Sequence, residues 1–146
     1  MPAGAGVTFL QYHCAFVRTG RALNQTLAIA AGGAIGAVLR FWMSNGVHML
    51  LGRGFPYGTL LVNVLGSLLM GYLYILMVER LALAPEWRAF ALVGLLGAFT
   101  TFSTFSVETL VLIEQADYAR AAVNVALSVS ACLLAAYVGI LAARQL

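Results

Sequence analysis

A cluster of hydroxyl and aromatic side chains occupies residues 100 to 106. Its sequence is Thr-Thr-Phe-Ser-Thr-Phe-Ser, and Gly94 and Gly97 precede it within a long apolar segment. Glycines weaken a helix, and an unwound stretch is tolerated in hydrocarbon only where it is buried in protein or lines a cavity. Freed carbonyl oxygens attract cations and half-helix N-termini attract anions, so the pattern indicates an ion or substrate site. The alternative is that the glycines only permit close helix packing while the hydroxyls bond to their own helix.

Phe102 and Phe105 are three residues apart in this cluster and therefore share one face of a helix. An aromatic ring has a positive edge, so two rings presented edge-on to a narrow path would stabilise an anion without holding it too tightly to leave. Thr101 and Ser103 would supply hydroxyl donors in the same region. The alternative for the phenylalanines is lipid-facing filler.

Asn63 is the most informative polar residue of an earlier apolar segment, where Thr59, Ser67 and Gly71 share its helical stripe. An amide in hydrocarbon is unfavourable unless it bonds across helices or faces water, and its NH₂ group can donate to an anion. Asn63 is therefore a candidate anion ligand, with a hydrogen bond between helices as the alternative.

Arg40 follows Gly32 and Gly36 at four-residue spacing, so all three lie on one helical face. The glycines predict close approach of a neighbouring helix. Two interpretations of Arg40 stay open: its side chain reaches the lipid headgroups, or it has a structural or ion-attracting role.

Asn124, Ser128 and Cys132 form a further row at four-residue spacing near the C-terminus. A polar row along one membrane helix is typical of a conduction track, and equally of a hydrogen-bonded helix contact.

The composition defines the class of protein. Of 146 residues 62% are hydrophobic and 9% are charged, and the mean hydropathy is +0.94. A soluble domain carries roughly a quarter charged residues, so we expect an all-α, multi-pass integral membrane protein. The net charge of +3 comes from scattered arginines, which gives no case for nucleic-acid binding. The absence of a nucleophile–base pair or metal-ligand constellation argues against an enzyme.

Four apolar segments meet the requirement of about 20 residues for a membrane helix. We predict them near 26–51, 58–78, 86–115 and 117–145, within a channel domain at 26–146. Residues 1–25 are mixed in character and are predicted to be an N-terminal extension, disordered or interfacial.

Arginine counts give a weak orientation signal. The side with the termini has five arginines against two on the other, and three against two when the extension is left out. So small a bias is compatible with insertion in both directions and hence with an antiparallel dimer, whereas the extension favours cytoplasmic termini.

Three motifs resemble, in order and spacing, the fluoride channels of the Fluc (CrcB) family of small bacterial membrane proteins. The resemblance covers about residues 26 to 145. The motifs are Gly32-Gly33-x-x-Gly36-Ala37-x-x-Arg40, Gly58-Thr59-Leu60-x-Val62-Asn63-x-x-Gly66 and Gly94-x-x-Gly97-x-Phe99-Thr100-Thr101-Phe102-Ser103-Thr104-Phe105.

This resemblance implies an antiparallel, dual-topology homodimer in the cell (inner) membrane, with two pores that passively export fluoride and lower its toxicity. It also implies that the third helix is broken in mid-membrane near Gly97 to Thr100. Main-chain carbonyls of Gly97 and Thr100 from both subunits would hold a structural Na⁺ at the two-fold axis.

The resemblance further implies roles for individual side chains. Phe102 and Phe105 would be the pore phenylalanines, Asn63 an anion-coordinating amide, and Arg40 the arginine near a pore vestibule. Ser128 would belong to the polar track of the fourth helix, although the row Asn124, Ser128, Cys132 departs from the family's hydroxyl-rich pattern, in which a tyrosine is usual.

Two other function classes stay open. A proton-coupled exporter of the small multidrug type needs a membrane-embedded carboxylate, for which Glu108 is the candidate. A buried Glu108 would need Arg40 or a hydroxyl as its partner. The second class is an assembly subunit without transport of its own, which would give no ion flux in liposomes.

Overall fold

Four long helices make up the part of the chain that the structure describes. The structure is a computed structural model; it describes the backbone of residues 5–146 and the side chains of residue 20 and residues 22–146. Helices long and apolar enough to cross a membrane are Ala22–Leu51, Tyr57–Arg80, Pro85–Glu114 and Tyr118–Arg144, called here the first to fourth spans. The prediction of an all-helical protein with four helices able to span a membrane is confirmed for the residues that the structure describes.

The helix that contains the first span begins at Ala5 and ends at Leu51. Its backbone passes through residue 25 without a break, so no change in backbone structure marks the predicted end of the N-terminal extension. Residues 1 to 4 lie outside the described part, as do the side chains of His13, Cys14, Arg18 and Arg21.

The connections between the spans are short and have identifiable stops. Gly52 follows the first span with φ of 78°, a conformation that glycine adopts without strain, and its N–H donates to His48 O at 3.0 Å. Pro85 opens the third span, where a residue without an N–H is well tolerated. Asp117 caps the fourth span by accepting a hydrogen bond from the Arg120 N–H.

The first span packs on the third through glycines. A Cβ atom added at Gly32 or Gly36 would overlap backbone atoms of Phe90 or Leu95, so both helices come together at backbone distance. The predicted close approach along this face is confirmed, and its partner is the N-terminal part of the third span.

The second and fourth spans meet in a similar way, because a Cβ at Gly71 would overlap Ala136 O and one at Gly139 would overlap Leu68 O. These glycine-mediated contacts bring the spans close enough for polar side chains from different spans to reach one another.

Candidate functional site: an interruption in the third span beside two cavities

The third span is not one continuous helix. Helical backbone ends at Phe99 and begins again at Phe102. Between them Thr100 has φ −81°, ψ 157° and Thr101 has φ −151°, ψ 119°, both extended conformations. Gly97 itself is helical, with φ −63° and ψ −37°. The extended residues are thus Thr100, the last residue of the predicted stretch, and Thr101, one residue beyond it, whereas Gly97 to Phe99 are helical.

Asn63 of the second span satisfies the backbone of this interruption. Its Nδ2 donates to Thr101 O at 2.9 Å, and its Oδ1 accepts from the Thr101 N–H at 2.8 Å. The side-chain amide therefore pairs with the Thr101 backbone as a neighbouring β-strand would. Both the N–H and the C=O group of Thr101 are satisfied in this way within the membrane span. One of the two Asn63 N–H hydrogens is used in this pair.

Thr101 also caps the second half of the span. Its Oγ1 accepts from the Thr104 N–H at 3.2 Å and donates to Thr104 Oγ1 at 3.0 Å, while Ser103 Oγ lies 3.2 Å away. A hydroxyl acceptor at this position is a favourable N-cap and starts the helix Phe102–Glu114. The positive end of that helix therefore lies beside a cluster of hydroxyl groups.

Among the carbonyl oxygens that these two caps release are those of Gly97 and Thr100. In a continuous helix the Thr101 N–H would bond to Gly97 O, and the Thr104 N–H would bond to Thr100 O. In the structure the Thr101 N–H donates to Asn63 Oδ1 instead, and the Thr104 N–H donates to Thr101 Oγ1. Thr100 O instead accepts a long bond of 3.5 Å from Arg40 Nη1.

A cavity of about 400 Å³ lies on the Arg40 side of the interruption. Arg40, Thr59, Thr101 and Thr104 line it, together with other residues of the first two spans. Of the two interpretations of Arg40, the side chain's position beside Thr100 favours a structural or ion-attracting role over contact with the headgroups alone.

A second cavity, of about 440 Å³, also has Thr101 in its wall. Asn63, Phe102, Phe105, Ser128 and Cys132 contribute to its wall. The two ring centroids are 5.3 Å apart, with planes inclined by 46°. Phe105 is buried, whereas Phe102 is 78% exposed in the single chain.

Glu108 lies one turn beyond Phe105, in a third cavity of about 540 Å³ whose wall also includes His48, Arg53 and Arg120. Its Oε1 accepts from Thr59 Oγ1 at 2.9 Å, and its Oε2 is buried without a partner among the described residues. The expected carboxylate is half-buried, and its partner is a hydroxyl rather than Arg40.

The fourth span contributes a buried hydrogen-bond chain. Asn124 Nδ2 donates to Thr109 Oγ1 at 2.9 Å, and Ser128 Oγ donates to Asn124 Oδ1 at 3.5 Å. The row thus combines both expected features: Asn124 makes a helix contact, and Ser128 and Cys132 face the cavity with the phenylalanines. Sequence reasoning missed Thr109, whose signal is a hydroxyl one turn after Phe105.

The structure brings Asn63, Thr101, Phe102, Phe105 and Ser128 to one cavity. Thr100 also lines this cavity, whereas Ser103, Arg40 and Gly97 do not. Ser103 is beside Thr101, and Arg40 lines the first cavity and contacts Thr100 O.

This fold and site define a small multi-pass membrane protein whose third span is interrupted beside two cavities that share Thr101 in their walls. The family model described as "CrcB-like protein, Camphor Resistance (CrcB)" matches residues 27–140. The chain belongs to the CrcB-like family, and the resemblance noted from the three motifs is confirmed.

Curated relatives of this chain carry the name "Fluoride-specific ion channel FluC". The protein from Shewanella amazonensis is 55% identical over 117 residues, covering 80% of this chain and 94% of the relative. The one from Coxiella burnetii is 50% identical over 121 residues, covering 82% and 98%. The one from Methylococcus capsulatus is 60% identical over 119 residues, covering 82% of this chain and 52% of that relative. The chain therefore matches about half the length of the Methylococcus protein and nearly all of the other two.

Proposed function

We propose that this protein is a fluoride-selective, passive ion channel that exports cytoplasmic fluoride and lowers its toxicity. The observation that carries the proposal is the interruption at Thr100 and Thr101, which places hydrogen-bond donors and a half-helix N-terminus beside two phenylalanine rings. The relatives' name supports fluoride as the permeating ion.

Fluoride is small and strongly hydrated, so a selective pore must replace its water with closely spaced donors. The second N–H hydrogen of Asn63 and the hydroxyl of Ser128 border the cavity and can supply them. The positive end of the helix that begins at Phe102 adds a favourable potential for an anion. The ring edges of Phe102 and Phe105 would then carry the ion through a path too narrow for larger halides.

The working unit in this proposal is an antiparallel homodimer in the inner membrane, with two pores. Gly97, Phe102, Ser103 and Thr104 are exposed in the single chain, although they lie within an apolar span. Hydroxyl groups and released carbonyls exposed to lipid are unfavourable. A second copy packed on this surface would cover them and complete the wall beside Phe102.

The same surface suits a structural Na⁺ at the two-fold axis. Gly97 and Thr100 carbonyls are released at the C-terminal, negative end of a half-helix, and uncharged backbone oxygens there are favourable ligands for Na⁺. Two carbonyls from each copy would give four oxygen ligands. Arg40 uses one lone pair of Thr100 O through a long bond, which leaves the second lone pair available. Bound there, the cation would offset the half-helix dipoles and hold the two copies together.

Efflux from liposomes tests this function. The purified protein is reconstituted into vesicles loaded with potassium fluoride or potassium chloride, valinomycin is added, and ion-selective electrodes follow release. We expect rapid fluoride release and no chloride release above that of protein-free vesicles. Equal release of both anions would contradict selectivity, and no fluoride release from well-folded protein would contradict the proposed function.

The phenylalanine pathway gives a first prediction. Phe102→Ile and Phe105→Ile remove the ring edges and keep an apolar side chain, so we expect fluoride release to fall by at least about tenfold, the equivalent of losing roughly 1.4 kcal/mol of stabilisation along the path. Phe90→Ile, in the third span but outside the cavity, is the matched control and should conduct normally. Normal rates in both cavity variants would remove the aromatic pathway.

The cation site gives a second prediction. Exchange of Na⁺ for N-methyl-D-glucamine during purification should inactivate the channel and weaken the dimer, because that cation is too large to be held by four carbonyl oxygens. Fluoride release and elution volume on size-exclusion chromatography are measured before and after Na⁺ is returned. A protein indifferent to the exchange would argue against the carbonyl site.

A further inference from the structure

Asn124 links the cavity to the second half of the third span. It is 1% exposed, so both polar atoms of its amide need partners within the protein. Thr109 accepts from its Nδ2, and Ser128 donates to its Oδ1. Neither Asn124 nor Thr109 lines the cavity directly. Any effect of Asn124 on an ion must therefore pass through Ser128.

The direction of this hydrogen-bond chain is fixed at its far end. Thr109 Oγ1 donates its one hydrogen to Phe105 O at 2.7 Å, so toward Asn124 it can only accept. The amide must then turn its NH₂ group toward Thr109 and its oxygen toward Ser128. Because that oxygen can only accept, Ser128 has to be the donor of the last bond.

The last bond is also the weakest. Ser128 Oγ and Asn124 Oδ1 are 3.5 Å apart, at the long limit of hydrogen bonding. Ser130, on the exposed side of the same helix, instead donates to Ala126 O at 2.6 Å. The Ser128 hydroxyl is therefore oriented by a contact that it can leave at little cost, whereas a bond like that of Ser130 would hold it to its own helix.

We propose that Asn124 is a positioning residue that keeps the Ser128 hydroxyl available as a donor to a small anion in the cavity of Phe102 and Phe105. The inference rests on the proposed function. Without the Asn124 oxygen, the Ser128 hydroxyl bonds to the carbonyl one turn earlier, as serines in helices commonly do, and an arriving anion has to break that shorter bond.

The test is the dependence of efflux on fluoride concentration, measured for the full chain in liposomes. Asn124→Leu keeps the side-chain volume and removes the amide. We expect it to raise the half-saturating fluoride concentration about tenfold, the effect of losing one hydrogen bond to a charged group. Thr109→Val removes the hydroxyl that orients the Asn124 amide, so it should also raise the half-saturating fluoride concentration. Thr109→Ser retains the hydroxyl and should restore the wild-type value, and Ser130→Ala is the matched control.

A double-mutant cycle separates positioning from a general loss of packing. If Asn124 acts through Ser128, then Asn124→Leu should have little further effect in a Ser128→Ala background. Independent, multiplying effects would overturn the inference, and so would an Asn124→Leu protein with wild-type fluoride dependence. If Asn124→Leu does not fold, a wild-type response of Thr109→Val overturns it instead. If the wild-type protein releases no fluoride, the proposed channel function fails together with the inference. If the wild type conducts and only the variants behave otherwise than expected, the inference alone fails.

Discussion

Asn63→Ala is expected to abolish fluoride release and to lower the thermal stability of the protein. The substitution removes both hydrogen bonds to Thr101, each to a backbone group within the membrane span. A buried backbone group left without a partner costs about 1–3 kcal/mol. The Thr101 N–H can recover part of this by bonding to Gly97 O, which would repair the helix and remove one released carbonyl. The same substitution therefore removes an anion donor and weakens the proposed Na⁺ site.

Two measurements separate these effects. Fluoride efflux reports the pore, and the midpoint of thermal unfolding in detergent, with and without Na⁺, reports the interruption. We expect Na⁺ to stabilise the wild type and to stabilise Asn63→Ala less. Val64→Ala is the matched control, because Val64 follows Asn63 in the chain, is half-buried and lies outside the cavity. Lost efflux with unchanged stability would restrict Asn63 to anion binding, and normal efflux would leave it as a contact between helices.

Gly36→Ala is expected to prevent correct packing of the first span on the third. A Cβ at this position would lie 2.9 Å from the carbonyl carbon of Leu95 and closer still to its oxygen, and neither backbone can move without shifting a whole helix. Overpacking of this kind typically costs about 1–3 kcal/mol. Leu95 lies five residues before Thr100, so a displaced third span also moves the interruption. We expect fluoride release to fall to the background of protein-free vesicles.

Gly46→Ala provides the control for this prediction on the same helix. Among the described residues, no atom lies within 4 Å of a Cβ added at Gly46. Alanine is the better helix former, by about 1 kcal/mol in a helix interior, so this variant should be as stable as the wild type or slightly more so. Yield of folded protein, size-exclusion profile and efflux are compared for both variants. A Gly36→Ala protein that matches Gly46→Ala in all three would show that the contact with Leu95 can relax.

Sequence alone was sufficient for the membrane class and the number of spans. Apolar segments of the required length are local features, and their ends carry local signals such as Gly52, Pro85 and Asp117. The shared face of Phe102 and Phe105 also follows from their spacing. The glycine face of the first span predicted close packing, although its partner helix could not be read from spacing.

The hydrogen-bond partners of the polar residues were decided by the tertiary structure. Asn63 and Thr101 are 38 residues apart in the chain, and the spacing of Asn63 fits an anion ligand and a contact between helices equally well. The fold shows that its amide satisfies the backbone of Thr101. The choice between Arg40 and a hydroxyl as the partner of Glu108 was likewise open until Thr59 was placed beside it.

The position of the break in the third span was also decided by the tertiary structure. Helix propensity points to Gly94 and Gly97, the weakest helix formers of the segment, yet both are helical and the extended residues are two threonines. A backbone leaves the helix in hydrocarbon where other groups can accept and donate its hydrogen bonds. Asn63, from another span, and the Thr101 hydroxyl provide those groups at Thr101 and Thr104. Local sequence determines which segments can be helical within the membrane, whereas the position of a break depends on partners that only the packing of the spans brings within reach.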